Sequence, residues 1–259
     1  MVNVGITIYD DVPVGHVPLT PQTPFTQSNE TETANDSLLE YAMSFGYPVG
    51  YVQEQEGRLI QDILPVYKTE HQQISTSSKS ELALHTETAF HPYKPDFVLL
   101  LCLRGDFNAK TTYANLSDIM PKLSTEAIDV LQQEVFITGI DDSFRTHGEP
   151  DMEIPVSVLK QSESGWSMIY DTTVMRGTTD ESKSALEEFG KAIDECVQSV
   201  ALKKNQLMVI DNRTTVHGRS RFQPRYDGTD RWLKRSLVVE NLPPKSDYKD
   251  GVITTRFPR

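Results

Sequence analysis

Cysteine is nearly absent. The 259 residues hold two, Cys102 and Cys196, too few for a disulfide framework or a zinc cluster, and the default setting is reduced and cytoplasmic. Asn-x-Ser/Thr sequons, as at Asn29 and Asn212, therefore carry little weight. Long apolar runs are missing too. No stretch approaches the roughly 20 residues of a membrane-spanning helix, and Met1–Asp10 lacks the basic-then-apolar layout of a secretory signal. Positive charge is scarce: 25 Lys and Arg face 37 Asp and Glu, for a net charge of −12. That balance argues against a chain that wraps nucleic acid or sits on an anionic membrane, since both need a basic footprint. What is present is a lean but foldable composition, 37% hydrophobic and 24% charged, well above the disordered range.

The length fits a single domain over residues 1–259. Its beginning, residues 1–36, reads as a loop-rich amino-terminal arm, because Pro13, Pro18, Pro21 and Pro24 fall in a stretch without periodicity. A helix is expected next, capped by Asp36 or Ser37, carrying Leu38, Leu39, Tyr41, Ala42 and Phe45, and stopped at Gly46. Short strands dominate from there. They are expected at Gly50–Gln53, Leu82–His85, Phe97–Leu103, Met152–Leu159, Trp166–Asp171, Gln206–Ile210 and Ser236–Glu240. Two helices interrupt them, Thr125–Val135 and Glu181–Val200. Without regular strand–helix alternation, the expected class is mainly β with flanking helices, as in a sandwich or open barrel.

Three features carry chemistry. His85-Thr86-Glu87 closes an expected strand, and residues i and i+2 of a strand share a face, so His85 and Glu87 can grip one ion. His217 follows the apolar strand ending at Ile210. Two imidazoles and one carboxylate on one side of a metal leave positions open, the arrangement that suits non-haem Fe(II). Fourteen residues further on comes Arg231, and four beyond it Arg235. A guanidinium fork binds a planar carboxylate bidentately, as the far carboxylate of 2-oxoglutarate requires.

The segments HTETAFHPYKPDFVLLLCLR (85–104), IDNRTTVHGRS (210–220) and DGTDRWLKR (227–235) resemble the clavaminate synthase-like family. Within that family the resemblance is to hydroxylases of free amino acids, the viomycin-type arginine hydroxylase and the asparagine and lysine hydroxylases. It spans roughly residues 45–245. It implies a double-stranded β-helix (jelly-roll) core, Fe(II), and 2-oxoglutarate and O₂ as cosubstrates. His85, Glu87 and His217 would be the iron ligands and Arg231 the 2-oxoglutarate anchor, with Thr111 or its neighbour Thr112 beside it. Arg235 would receive the α-carboxylate of a free L-amino acid, while Gln55, Glu87 and Ser75 contact its α-amine. Asp171 would face the side chain, and a basic one, lysine or arginine, suits a carboxylate; Asp141-Asp142 or Asp180-Glu181 would supply a second acid.

The implied reaction is hydroxylation of an unactivated side-chain carbon with 2-oxoglutarate converted to succinate and CO₂. Desaturation of the same substrate and a catalytically silent jelly-roll binding protein are the alternatives. His91 and Tyr93 are expected to fix the loop after the metal motif, and His16, His71 and His147 to face solvent. The family usually has a longer amino-terminal helical region, and a homodimer contact is one way to fill its place.

Overall fold

The computed structural model describes residues 5–24, 29–141, 144 and 153–255. In chain order the first half carries β1 (Ile6–Tyr9), α1 (Glu32–Phe45), β2 (Tyr47–Tyr51), β3 (Gln61–Ile63), β4 (Leu82–His85), β5 (Phe97–Arg104) and β6 (Thr111–Asn115). Next come α2 (Leu116–Ile119), α3 (Thr125–Leu131), β7 (Phe136–Thr138), β8 (Ile154–Val156), β9 (Leu159–Ser162), β10 (Gly165–Met168) and β11 (Met175–Gly177). The chain finishes with α4 (Asp180–Cys196), β12 (Gln198–Val200), β13 (Leu207–Asp211), β14 (Thr215–Arg219), β15 (Trp232–Val239), β16 (Tyr248–Lys249) and β17 (Val252–Ile253).

Two sheets face one another as a jelly roll. The larger runs β1-β13-β5-β15-β2-β17-β16, with β3 also on β15; the smaller runs β12-β6-β14-β4. The apolar run of β5 explains the layering. Val98, Leu100 and Cys102 point between the sheets, where they join Met208, Ile210, Leu233 and Leu237. Leu99, Leu101 and Leu103 point the other way, onto Ala34, Leu38 and Ala42 of α1. A strand covered on both faces needs no polar alternation, which is why it reads as continuous hydrophobic sequence. Beneath the smaller sheet, Ala114 and Val216 pack on Leu131, Phe189 and Ile193 of α3 and α4. The inner faces of both sheets are left to carry the site.

Several boundaries depart from expectation. Helix α1 begins at Glu32, four residues before the expected caps, because its buried stripe is Ala34-Leu38-Ala42 and the first of these is small. It ends where Gly46 lies against β15: a Cβ there would sit 2.4 Å from the Val239 carbonyl oxygen. Helix α3 stops at Leu131 rather than Val135. Helix α4 ends at Cys196, and the next residues form β12, whose Gln198–Val200 pairs with Tyr113–Thr111 of β6. The β-branched Val197 and Val200 suit that change from helix to strand. The expected strand Met152–Leu159 is two short strands, β8 and the start of β9, with Met152 outside the described residues. Within the arm, β1 is an edge strand on β13, and Val12 and Val14 are buried, so this part is held firmly. Neither cysteine is in a disulfide. Among the described residues no helix is long and apolar enough to cross a membrane.

Candidate active site

A cavity of ≈ 210 Å³ opens between the sheets, lined by residues of both. Strand parity decides what enters it. In β14, His217 and Arg219 point inward while Val216 packs on the helices. In β4, His85 points inward and Leu84 outward. The register then sets His85 opposite His217, with ring centroids 4.8 Å apart. Glu87 follows two residues later, its backbone tied down by Asn212: the Glu87 N–H donates to Asn212 Oδ1 at 2.7 Å, and Asn212 Nδ2 donates to the Glu87 carbonyl at 3.1 Å.

His85, Glu87 and His217 offer two imidazole nitrogens and a carboxylate oxygen within 4.8 Å of one another. His85 Nδ1 donates to the Ala83 carbonyl at 2.8 Å, which leaves Nε2 for the site. His217 Nε2 lies 3.6 Å from Glu87 Oε2, and its buried Nδ1 has no hydrogen-bond partner. Burial opposes ionisation of Glu87, but Arg235 and the two imidazoles outweigh it and hold its pKa well below the usual carboxylate range. Burial also lowers the His217 pKa, favouring the neutral imidazole a metal requires. The donor chemistry therefore fits a divalent iron.

The two arginines enter from the larger sheet. Arg235 is paired with Gln61 across β3 and β15, and all its donors are spent. Nε donates to Gln61 at 2.8 Å, Nη1 to both oxygens of Glu87 at 3.0 and 3.1 Å, and Nη2 to Glu54 and Gln61. Burial would lower its pKa, yet Glu54 and Glu87 raise it. Burial raises the Glu54 pKa, with Glu87 pushing the same way and Arg235 opposing. Arg231 is as deeply buried, 6% exposed, and lines the cavity without a carboxylate in ion-pair contact among the described residues. Burial pushes its pKa down to about 10.

Other expected residues divide. Thr111, Ser75, Asp171 and Asp141 line the cavity; Gln55 and Thr112 do not. Thr112 is one residue out of phase with Thr111, so β6 turns it to the opposite face. Gln55 and Glu56 take left-handed backbone, φ 43° and 60°, and Glu54 is the residue that this kink delivers to the cavity instead. Asp171 caps a turn through Oδ1, which accepts from the N–H of Thr173 and of Val174 and from the Thr173 hydroxyl. Asp142 and His147 lie outside the described residues, and Asp180 and Glu181 are exposed in the first turn of α4. His16 and His71 are exposed, while His91 Nδ1 accepts from the Tyr93 N–H at 3.0 Å and fixes that loop. Sequence reasoning missed Glu54, Gln61, Asn212 and Arg219.

A family model, "Taurine catabolism dioxygenase TauD, TfdA family", matches residues 29–237. The L-asparagine oxygenase of Streptomyces coelicolor is 35% identical over 242 residues, 92% of this chain and 72% of that one. The L-lysine 3-hydroxylase of Catenulispora acidiphila is 35% identical over 198 residues, 75% of this chain but 55% of that one. The crystal structure of an asparagine oxygenase with Fe(II), 2S,3S-3-hydroxyasparagine and succinate superposes with a TM-score of 0.87 at 32% identity, over 97% of this chain and 80% of that one. These likenesses bear out the jelly roll and the resemblance to clavaminate synthase-like enzymes. With its His-His-Glu cluster between the sheets, the chain belongs to the TauD/TfdA family of Fe(II)- and 2-oxoglutarate-dependent oxygenases, among relatives that hydroxylate amino acids.

Proposed function

We propose that the protein hydroxylates an unactivated side-chain carbon of a free L-amino acid, with His85, Glu87 and His217 holding Fe(II) and Arg231 anchoring 2-oxoglutarate. The observation that carries this reading is the Arg231 guanidinium, which has no ion-pair partner among the described residues and is buried in the same cavity as the three metal donors. A buried cation without a counterion is costly, and a bound carboxylate relieves that cost. Bound iron supplies activation of O₂ coupled to oxidative decarboxylation of 2-oxoglutarate, so that C–H, O₂ and 2-oxoglutarate become C–OH, succinate and CO₂.

The protein's own part is orientation. Arg231, with the Thr111 hydroxyl beside it, holds the far carboxylate and so fixes which way the keto-acid end points. Ile63, Val98, Leu100 and Leu233 line the cavity on the larger sheet and keep it dry. The zwitterion of the amino acid enters by exchange. Its α-carboxylate takes the Nη2 donors of Arg235 from Glu54, and its ammonium takes the freed Glu54 carboxylate, so no charge is left unpaired. Gln61 and Glu87 keep the rest of the guanidinium in place. Glu54 thus takes the role expected of Gln55.

The side chain then points toward Ser75, Asp141 and Asp171. Oδ1 of Asp171 is committed to its turn, and Oδ2 makes none of those turn contacts. One carboxylate oxygen, with Asp141 on the same cavity, suits a cationic end, and a basic amino acid such as lysine is the substrate we favour. An amide N–H could bind the same oxygen, so asparagine is the second reading. The test is a panel of the twenty L-amino acids plus ornithine, with succinate as the first readout and product mass and NMR as the second. Fe(II)-dependent succinate formation stimulated by a basic amino acid, with one oxygen gained, is expected. Loss of two hydrogens would mean desaturation, and stimulation by asparagine alone would select the second reading. No stimulation by any amino acid would overturn the proposal and favour a silent jelly roll.

A further inference from the structure

Arg219 is a second buried guanidinium on the same cavity. It stands 3% exposed on β14, two residues beyond His217 and on the same inward face. The ladder sets it directly opposite Thr111 of β6, and Arg219, Thr111 and Arg231 all line the cavity. Its contacts are neutral. Nη2 donates to Ser77 Oγ at 2.7 Å and to the Ser80 carbonyl at 3.2 Å, and Nη1 donates to the carbonyls of Ser220 at 3.1 Å and Ser78 at 3.4 Å. Its face lies 5.2 Å from the centre of the Phe222 ring. Nε is buried with no partner, and no carboxylate makes an ion pair with this side chain among the described residues. Two buried cations that line one cavity without an ion pair are unfavourable unless the occupant brings negative charge. A structural strut alone does not need this arrangement, since neutral donors would satisfy the same serine and carbonyl oxygens.

We propose that Arg219 acts with Arg231 and Thr111 as the second cation of the subsite for the distal carboxylate of the 2-oxo acid. The proposal rests on the cosubstrate reading above. It makes the Arg231–Arg219 end a selector for dicarboxylates: a 2-oxo acid of the same length that lacks the far carboxylate leaves both guanidinium groups unpaired.

The test measures binding, by calorimetry under nitrogen, to the full chain loaded with Fe(II). The ligands are 2-oxoglutarate and 2-oxopentanoate, which has the same length without the distal carboxylate. Arg219→Gln is expected to weaken 2-oxoglutarate by about 10-fold, through the loss of one nearby positive charge. Its effect on 2-oxopentanoate should be under about threefold. Arg219→Lys, which keeps the charge, should recover most of the 2-oxoglutarate affinity. Ser77→Ala, which removes one strut contact and leaves the charge, should bind 2-oxoglutarate like the parent.

Equal weakening of both ligands by Arg219→Gln, or a loss in Ser77→Ala as large as in Arg219→Gln, would overturn the proposal and leave Arg219 as a strut. If Arg231→Gln loses 2-oxoglutarate while Arg219→Gln does not, this inference falls and the cosubstrate reading stands. If neither loses it, both fall. Should Arg219→Gln fail to fold, Arg219→Lys still decides: a loss as deep as that of Arg231→Gln would contradict a charge role.

Discussion

Arg231, just before β15, and Arg235, within it, lie four residues apart, line the same cavity and are buried to within one percentage point of each other. Their surroundings are opposite. Arg235 is enclosed by Glu54, Glu87 and Gln61, with every donor matched. Arg231 has no such partner among the described residues, and burial drags its pKa to about 10. A matched buried cation is part of the framework, and an unmatched one marks where a ligand's charge belongs. In the reading proposed above, Arg235 organises the substrate end and steadies Glu87, while Arg231 takes the anion.

That contrast breaks or holds under substitution. The largest effect is expected for Arg235→Met, which leaves Glu54 and Glu87 buried and uncompensated. The metal-free protein should lose about 3–5 kcal/mol in denaturant unfolding, and added Fe(II) should restore part of it by neutralising Glu87. Arg231→Met removes a charge that had no partner, so the metal-free protein should melt at the same temperature or higher. Its 2-oxoglutarate affinity should fall about 10- to 100-fold. A loss of stability there as deep as that of Arg235→Met would erase the distinction.

Ligand removal sharpens the same point. Fe(II) with 2-oxoglutarate at about 100 times its Kd should stabilise the parent by about 2.7 kcal/mol. Stripping metal with a chelator should abolish that gain, and Arg231→Met should largely lack it at the same ligand concentration. The smallest change is expected for Glu54→Gln, which keeps a hydrogen bond to Arg235 but loses the ammonium partner. The KM for the amino acid should rise about tenfold with 2-oxoglutarate affinity unchanged.

Much of this was legible before any coordinates. The His85-Thr86-Glu87 motif marks both donors, and the structure keeps them together with His217 although β4 ends at His85 and Glu87 lies in the turn beyond it. The long apolar β5 announced itself because it is covered on both sides. What stayed hidden has physical reasons. Strands β6 and β14 mix Thr, Asn, His and Arg because their inner faces line a cavity, so no apolar alternation marks them. Glu54 was masked by a left-handed kink that shifts the expected position by one residue. Gln61 and Glu54, two of the partners of Arg235, lie 174 and 181 residues away in sequence, and the β3–β15 pairing sets Gln61 opposite it. Nothing in the sequence singles out Arg219 beside His217, and only its burial reveals it.

The net charge of −12 also takes on a local meaning. It describes the molecule as a whole, while Arg219 and Arg231 line one cavity without an ion-pair partner among the described residues. We propose that this cavity seats a dicarboxylate next to a metal held by His85, Glu87 and His217. Anaerobic calorimetry of 2-oxoglutarate against the Fe(II)-loaded protein tests it most directly, run beside His217→Ala and Arg231→Met. One equivalent bound tightly by the parent, and weakened in both variants, is the expected result. Equally tight binding without Fe(II), or binding that survives Arg231→Met unchanged, would contradict it.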